Sequence, residues 1–385
     1  MSPSRGQLAA VARVATKLGV IGFGGPAAHV AMLRSEVVER RAWLTDAEFL
    51  DLFAATTALP GPGSTQMVIA VGRRQAGWTG MVVAGTCFVA PAATSVLVLA
   101  GLYVRFHRVP AVAGLLYGVK PVVVAVIAVS LWGLSRGVAA AGALGLVVAG
   151  AAGAAFLAGV DPLVALAIGA VVVMLWRNRT AVDGGAATAV VPGVALALAG
   201  HAARRPSAPV TRHVGLWPLA REFAKLGVIV FGSGYVLLAF LQRDLVHQLH
   251  WLGSKQLLDA VAAGQVTPGP VFTTATFVGY LVSGVPGAVV ATLAIFLPSF
   301  LMVAALMPVL ARARRSSWVS GALDGAAAAA VGLMAGVAVT LARSGLTDAL
   351  TAAVGVAALV SLARFRVNTV WVVIAGGVVG VLHSL

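Results

Sequence analysis

This chain is poor in what soluble proteins use to face water. Only 10% of its 385 residues are charged, and acids are scarcest, with 12 Asp and Glu against 27 Lys and Arg. Soluble domains carry about 25% charged residues, so an ordinary water-soluble globule is excluded. One cysteine, Cys87, excludes an internal disulfide and a cysteine-built metal cage. The histidines (His29, His107, His201, His213, His247, His250 and His383) fall mostly at loops and ends, without paired-ligand spacing inside an apolar run. No metal, cofactor or catalytic constellation is therefore expected, and the chain does not read as an enzyme. The net charge of +15 does not point to nucleic acid, because the basic residues form short clusters at the ends of apolar runs and no stripe.

What the chain has is apolar length. It is 60% hydrophobic, and runs such as Gly77–Val104, Gly137–Val160 and Val285–Leu310 exceed the roughly 18 residues needed to cross a bilayer. The fold class expected is an all-α polytopic membrane protein whose main partner is lipid. Arg5 and Arg13 precede the first apolar run and no cleavage-like site follows it, which predicts an uncleaved first membrane segment.

The chain also repeats itself. Ala12–Val30 and Ala220–Leu238 align at an offset of 208, and the match continues through Trp43 and Trp251, Asp51 and Asp259, and Pro60-Gly61-Pro62 and Pro268-Gly269-Pro270. Roughly 20 of about 50 positions are identical. Two copies of a Gly/Pro-broken hydrophobic unit are the usual plan of a secondary transporter, with the broken segments marking its binding site. The division predicted is membrane repeat one over 1–177, a cytoplasmic linker over 178–213 and membrane repeat two over 214–385. The stretch Ala186–Ala199 is short and holds Pro192 and Gly193, so it is assigned to the linker.

Each repeat reads as a first span (about 7–32 and 215–240), a broken pair of short helices around Pro-Gly-Pro, then four spans. The short pieces cannot cross, and proline forces two helical pieces to part there. If each broken pair returns to its own side, most arginines, including Arg34, Arg40, Arg41, Arg73, Arg74, Arg177 and Arg312, share one face. If the pairs cross, the faces come out nearly even. The positive-inside bias selects the first layout. Five spans per repeat then invert the second copy. The expected architecture is two inverted-topology repeats with about 10 full spans plus two Pro-Gly-Pro broken re-entrant helix hairpins, and both termini outside.

The breaks carry the chemistry. A helix that starts inside the membrane leaves backbone amides unpaired and carries about half a positive charge at its N-terminus, which makes an anion site. Pro60, Gly61 and Pro62 lead into Gly63, Ser64, Thr65 and Gln66; Thr267, Pro268, Gly269 and Pro270 lead into Thr273. These hydroxyl and amide donors suit a tetrahedral oxyanion. A second break, Gly24-Gly25-Pro26 matched by Gly232-Ser233-Gly234, either faces the first across the site or serves close helix packing.

Intramembrane charges are costly and tend to mark ligand paths or ion pairs. Lys17 and Lys225 recur one turn after Arg13 and Arg221; the arginines are read as snorkelling and the lysines as balancing an anion. Lys120 lies mid-span, and Asp324 is offered as its cross-repeat partner. The repeated acids Asp51 and Asp259 read equally as proton carriers or as helix caps and ion-pair partners. Glu36, Glu39 and Glu48 read as a solvated face, and His29 as a hydrogen-bonded helix residue.

Phe23-Gly24-Gly25-Pro26, then Glu39-Arg40-Arg41 with Trp43-Leu44, then Leu59-Pro60-Gly61-Pro62 with Gln66 resemble the chromate ion transporter family in its long two-domain form. The resemblance implies chromate export across the inner membrane, driven by the membrane potential or proton gradient, with oppositely oriented halves. It carries the family's motif onto Gly24, Gly25, Pro26, Arg40, Arg41, Trp43, Pro60, Gly61, Pro62 and Gln66, and in repeat two onto Phe231, Gly232, Trp251, Gln265, Pro268, Gly269 and Pro270. The second copy departs from the pattern: Gly-Ser-Gly replaces Gly-Gly-Pro, and paired arginines are missing before Trp251. One copy is thereby expected to bind the ion while the other mainly gates. The function expected is secondary transport of chromate, with sulfate as its mimic; a sulfate or other oxyanion uptake carrier and an anion channel are the alternatives, and a homodimer is left open.

Overall fold

Every regular element is helical among the described residues of the computed structural model, which are 4–23, 25–57, 59–106, 109–140, 142–179, 214–230, 236–305, 316–365 and 367–384. Most of the expected linker, including Ala186–Ala199, and Gly24, Gly232 and Ser233 lie outside them.

Repeat one runs α1 Arg5–Ile21, α2 Gly25–Arg34 with a π-helical continuation Ser35–Arg40, α3 Asp46–Thr57, α4 Gly63–Phe106, α5 Pro110–Ala140, α6 Ala143–Leu157 and α7 Pro162–Arg177. Repeat two runs α8 Leu216–Ile229, α9 Leu237–Phe240 with a π-helical continuation Leu241–Gln248, α10 Ser254–Val266, a single 3-10 turn Val271–Thr273, α11 Thr274–Ala305, α12 Ser317–Gly345, α13 Ala349–Ala363 and α14 Thr369–Ser384. Gly63–Phe106, Val112–Ala139, Val271–Ala305 and Ser317–Gly345 are long and apolar enough to cross a membrane. The chain is a multi-pass membrane protein.

Both α4 and α11 double back. Ala76 and Gly77 leave the helical region in α4, as Ser283 and Gly284 do in α11. Gly77 has φ +59° and Gly284 φ +64°, a left-handed turn that glycine adopts without a Cβ clash. The limbs then lie side by side. Ile69 faces Gly85, and the hydroxyls of Thr276 and Thr292 are 2.7 Å apart, separations of 16 residues that a straight helix would hold about 24 Å apart. The first limb of α4 ends beside its own approach: Arg74 pairs with Glu48, and Gln75 donates to the Trp43 carbonyl at 3.2 Å.

The repeats interlock. Each first helix packs within its own repeat, α1 on α4 and α8 on α11. The third spans cross over: α5 packs on α13 and α14, and α12 packs on α6 and α7. Without a hydrophobic drive between helices in lipid, close backbone approach supplies the attraction. Gly114 and Gly118 of α5 meet Gly376 and Gly380 of α14, and Gly169 of α7 meets Gly325 of α12. A side chain at Gly118 would overlap the Gly376 carbonyl and lie 2.8 Å from the Gly380 nitrogen.

The helix-helix seam is thus testable. Gly118→Val should cost about 1–3 kcal/mol of stability by overpacking, read as a lower melting temperature in detergent, whereas Gly137→Ala, whose added Cβ would meet nothing within 4 Å, should leave it unchanged.

Candidate functional site

At the two Pro-Gly-Pro corners the helices part, and proline leaves few local backbone partners. Each corner is satisfied by the other repeat. The Gly61 amide donates to the Val230 carbonyl at 2.5 Å, and the Gly269 amide donates to the Gly22 carbonyl at 2.8 Å. Val230 and Gly22 are the C-terminal caps of α8 and α1, so each corner takes up a carbonyl its partner helix cannot satisfy internally. Gly61 has φ +116° and Gly269 φ +100°, values that favour glycine. At the second break of repeat one, α1 stops at Ile21 and α2 begins at Gly25.

The corners meet through His29, which is 1% exposed. Its Nε2 donates to the Gly22 carbonyl at 2.9 Å, the acceptor already shared by Gly269, and its Nδ1 lies 3.4 Å from Ser64 Oγ, in the first turn of α4. Phe88 packs edge-on against the imidazole. His29 is therefore the hydrogen-bonded residue the sequence suggested, and its place between the corners was not anticipated; its nearness to the Gly-Gly-Pro break was the available signal.

The corners differ in polarity. Around Gly61 stand Gln66, whose Nε2 donates to the Pro60 carbonyl at 2.5 Å, and Ser299, whose Oγ would lie 3.1 Å from a Cβ on Gly61. At the matching place Gly269 faces the methyl of Ala92. Thr65, Gln66 and Ser299 are fully buried, and Thr65 Oγ1, Gln66 Oε1 and Ser299 Oγ make no hydrogen bond. In repeat two, Thr267 Oγ1 bonds the Ala263 carbonyl at 3.0 Å, Thr273 Oγ1 bonds Pro270 and Thr274 Oγ1 bonds Val271, both at 2.8 Å. Gln265 is buried with its Nε2 unpartnered. Ser299 was missed in the sequence. Pro91-Ala92 and Pro298-Ser299 align once the offset falls to 207 beyond the corners.

The charges are arranged otherwise than expected. Lys17 pairs with Glu36 at 2.5 Å, and Lys225 with Asp244 at 2.7 Å and with Glu222. Glu36 and Asp244 occupy matching positions, so this is one ion pair made twice. Glu36 is 6% exposed and not part of a solvated face; Lys17, Arg40 at 3.0 Å and Arg41 at 3.5 Å converge on it because an uncompensated carboxylate there would be costly. The positive field expected from the two lysines is largely cancelled by these acids. Repeat two lacks the paired arginines but sets Arg243 3.3 Å from Asp244, and Arg243 also reaches Asp161 of repeat one at 2.5 Å. Glu39 and Glu48 are exposed at their ends and pair with Arg34 and Arg74. Arg13 and Arg221 are exposed.

The pairing suggested for Lys120 is corrected. Asp324 pairs with Arg177, and Lys120 pairs with Asp259 at 2.9 Å. Tyr103 donates to the other Asp259 oxygen at 3.0 Å. Lys120 and Asp259 side chains are 14% and 6% exposed. The repeated acids have diverged, since Asp51 is exposed.

Residues 9–175 and 217–381 each match the family model described as chromate transporter. The chain is 32% identical over 371 residues to a chromate transport protein of Cupriavidus metallidurans, covering 94% of this chain and 89% of that protein. It is 31% identical over 353 residues to a probable chromate transport protein of Synechococcus elongatus, covering 90% and 87%. A chromate transport protein of Pseudomonas aeruginosa is 29% identical over 375 residues, covering 94% and 89%. No solved structure matches the chain.

For the buried charges, Lys120→Met should destabilise the protein by about 3–5 kcal/mol by stranding Asp259. The double variant Lys120→Met with Asp259→Asn should recover most of that loss, read as melting temperature in detergent.

Proposed function

This chain belongs to the chromate transporter family, and on that premise we propose that it is a secondary active transporter of a divalent tetrahedral oxyanion, with chromate as substrate and efflux across the inner membrane as its direction. The reciprocal docking of the two corners carries this reading. It puts two helix N-termini, with their positive ends, on a shared interface between the repeats. Chromate and sulfate are acceptors in every direction and call for neutral donors, which Ser64, Thr65, Gln66 and Gln265 supply.

The topology proposed is the inverted pair with re-entrant corners. The Arg74–Glu48 and Gln75–Trp43 contacts support it, because they bring the two ends of the first hairpin together. The ion pairs Arg243–Asp161 and Arg177–Asp324 also join residues that the charge layout assigns to one face each.

The corners are buried in this arrangement. A cavity of 630 Å³ lies elsewhere, beside Trp176, Arg177 and Asp324, and an apolar groove of 410 Å³ runs between α4 and α11 beside Val89 and Phe296. On this reading the arrangement is a closed state. Rocking of one repeat on the other breaks the Gly61–Val230 or Gly269–Gly22 contact and opens one side at a time.

Proteoliposomes holding the purified protein should accumulate chromate in a saturable, gradient-dependent way, and sulfate should compete. Gln66→Ala and Pro62→Ala should each weaken chromate binding by about tenfold or more, about 1.4 kcal/mol, with folded yield close to wild type. Single-channel currents, or affinity unchanged in folded variants, would contradict the assignment.

A further inference from the structure

We propose that the oxyanion seat is a single one, built at the repeat-one corner, and that Ser299 of repeat two donates its hydroxyl into it together with Thr65. This rests on the reading of the chain as an oxyanion carrier and adds which corner binds and which hydroxyls do so.

Serines and threonines in helices follow a common pattern. Their hydroxyls bond back to a carbonyl three or four residues earlier. Ser95, Thr292, Thr340 and Ser344 all do this here, at 2.6–3.2 Å. So do Thr273 and Thr274 at the second corner. Ser299 and Thr65 do not. Both are 0% exposed, and Ser299 Oγ and Thr65 Oγ1 have no partner. A buried hydroxyl without a partner is costly, and these two occur at one corner. Thr65 is the sequence equivalent of Thr273, and Ser299 of Ala92, so the fold does not require either hydroxyl to be free.

Ser299 is directed at the corner. Its Oγ and the Gln66 amide flank the same face of Gly61, where a Cβ would meet them at 3.1 Å and 2.6 Å. Glycine at 61 lets these two polar groups stand close against the backbone. At corner two the same face is filled by the Ala92 methyl, and Thr274 stands at the position of Gln66. Apart from Gln265, whose Nε2 has no partner, corner two is a packed joint whose threonine hydroxyls bond back to its own backbone, and the guest's hydroxyl donors come from corner one and the helix that crosses it from the other repeat. Because Ser299 belongs to the opposite repeat, a relative rotation of the repeats removes one ligand from the seat and lowers affinity as the site opens.

The test is equilibrium binding of chromate to the purified full-length protein in detergent. Ser299→Ala and Thr65→Val should each weaken binding about tenfold without lowering the melting temperature, since neither hydroxyl bonds the protein. Ser95→Ala, whose hydroxyl bonds Pro91, should bind like wild type. Ser299→Cys keeps the side-chain size and should also weaken binding, which covers the case in which Ser299→Ala misfolds. Wild-type affinity in folded Ser299→Ala and Ser299→Cys would overturn the seat while leaving the carrier reading intact. Absence of chromate, sulfate and molybdate binding by the wild-type protein would overturn both.

Discussion

The structure depends on one constraint: inside hydrocarbon, backbone amides and carbonyls must find protein partners. A helix broken at Pro-Gly-Pro cannot supply them itself. Here the broken helices of one repeat are completed by the ended helix of the other, through Gly61 with Val230 and Gly269 with Gly22. The position of the candidate site between the repeats follows from that exchange. It explains why α1 and α8 stop where they do, and why Gly19 and Gly227 bring those helices hard against the Phe88 and Ile295 carbonyls.

The symmetry is kept in the backbone and abandoned in the side chains. Both repeats contain the lysine–acid pair, the left-handed corner glycine and the doubled-back helix. Only one has Gln66, His29 and an unbonded serine beside its corner, and only the other keeps its repeated acid buried against a lysine. Lys120 and Asp259 add a tyrosine from α4, so that three elements are tied by one charge pair. The twin acids thus stand in different surroundings, Asp51 exposed and Asp259 buried against Lys120.

Much of this was legible in the sequence. The repeat, the breaks at Pro60 and Pro268 and the helix stop before Gly25 follow from proline and glycine, whose backbone effects are local. Pairing was less legible. Glu36 looked solvated because it lies in a charged run, and only the return of the π-helical turn toward α1 sets it beside Lys17. Asp324 was matched to Lys120 by repeat logic, yet Arg177 lies closer because α12 packs on α7 of the other repeat. Ser299 was hidden by a one-residue change of register beyond the corner. Long-range partners depend on how the repeats interlock, which periodicity does not encode.

The crossed third spans have a consequence for biogenesis. When the ribosome has released α5, the helices that will receive it, α13 and α14, do not yet exist, and α6 and α7 wait in turn for α12. The nascent first half must therefore reside in the bilayer with its glycine-lined seams and its proline corner incomplete until translation nears its end. The seams of the first half are thus completed only by helices from the far end of the chain.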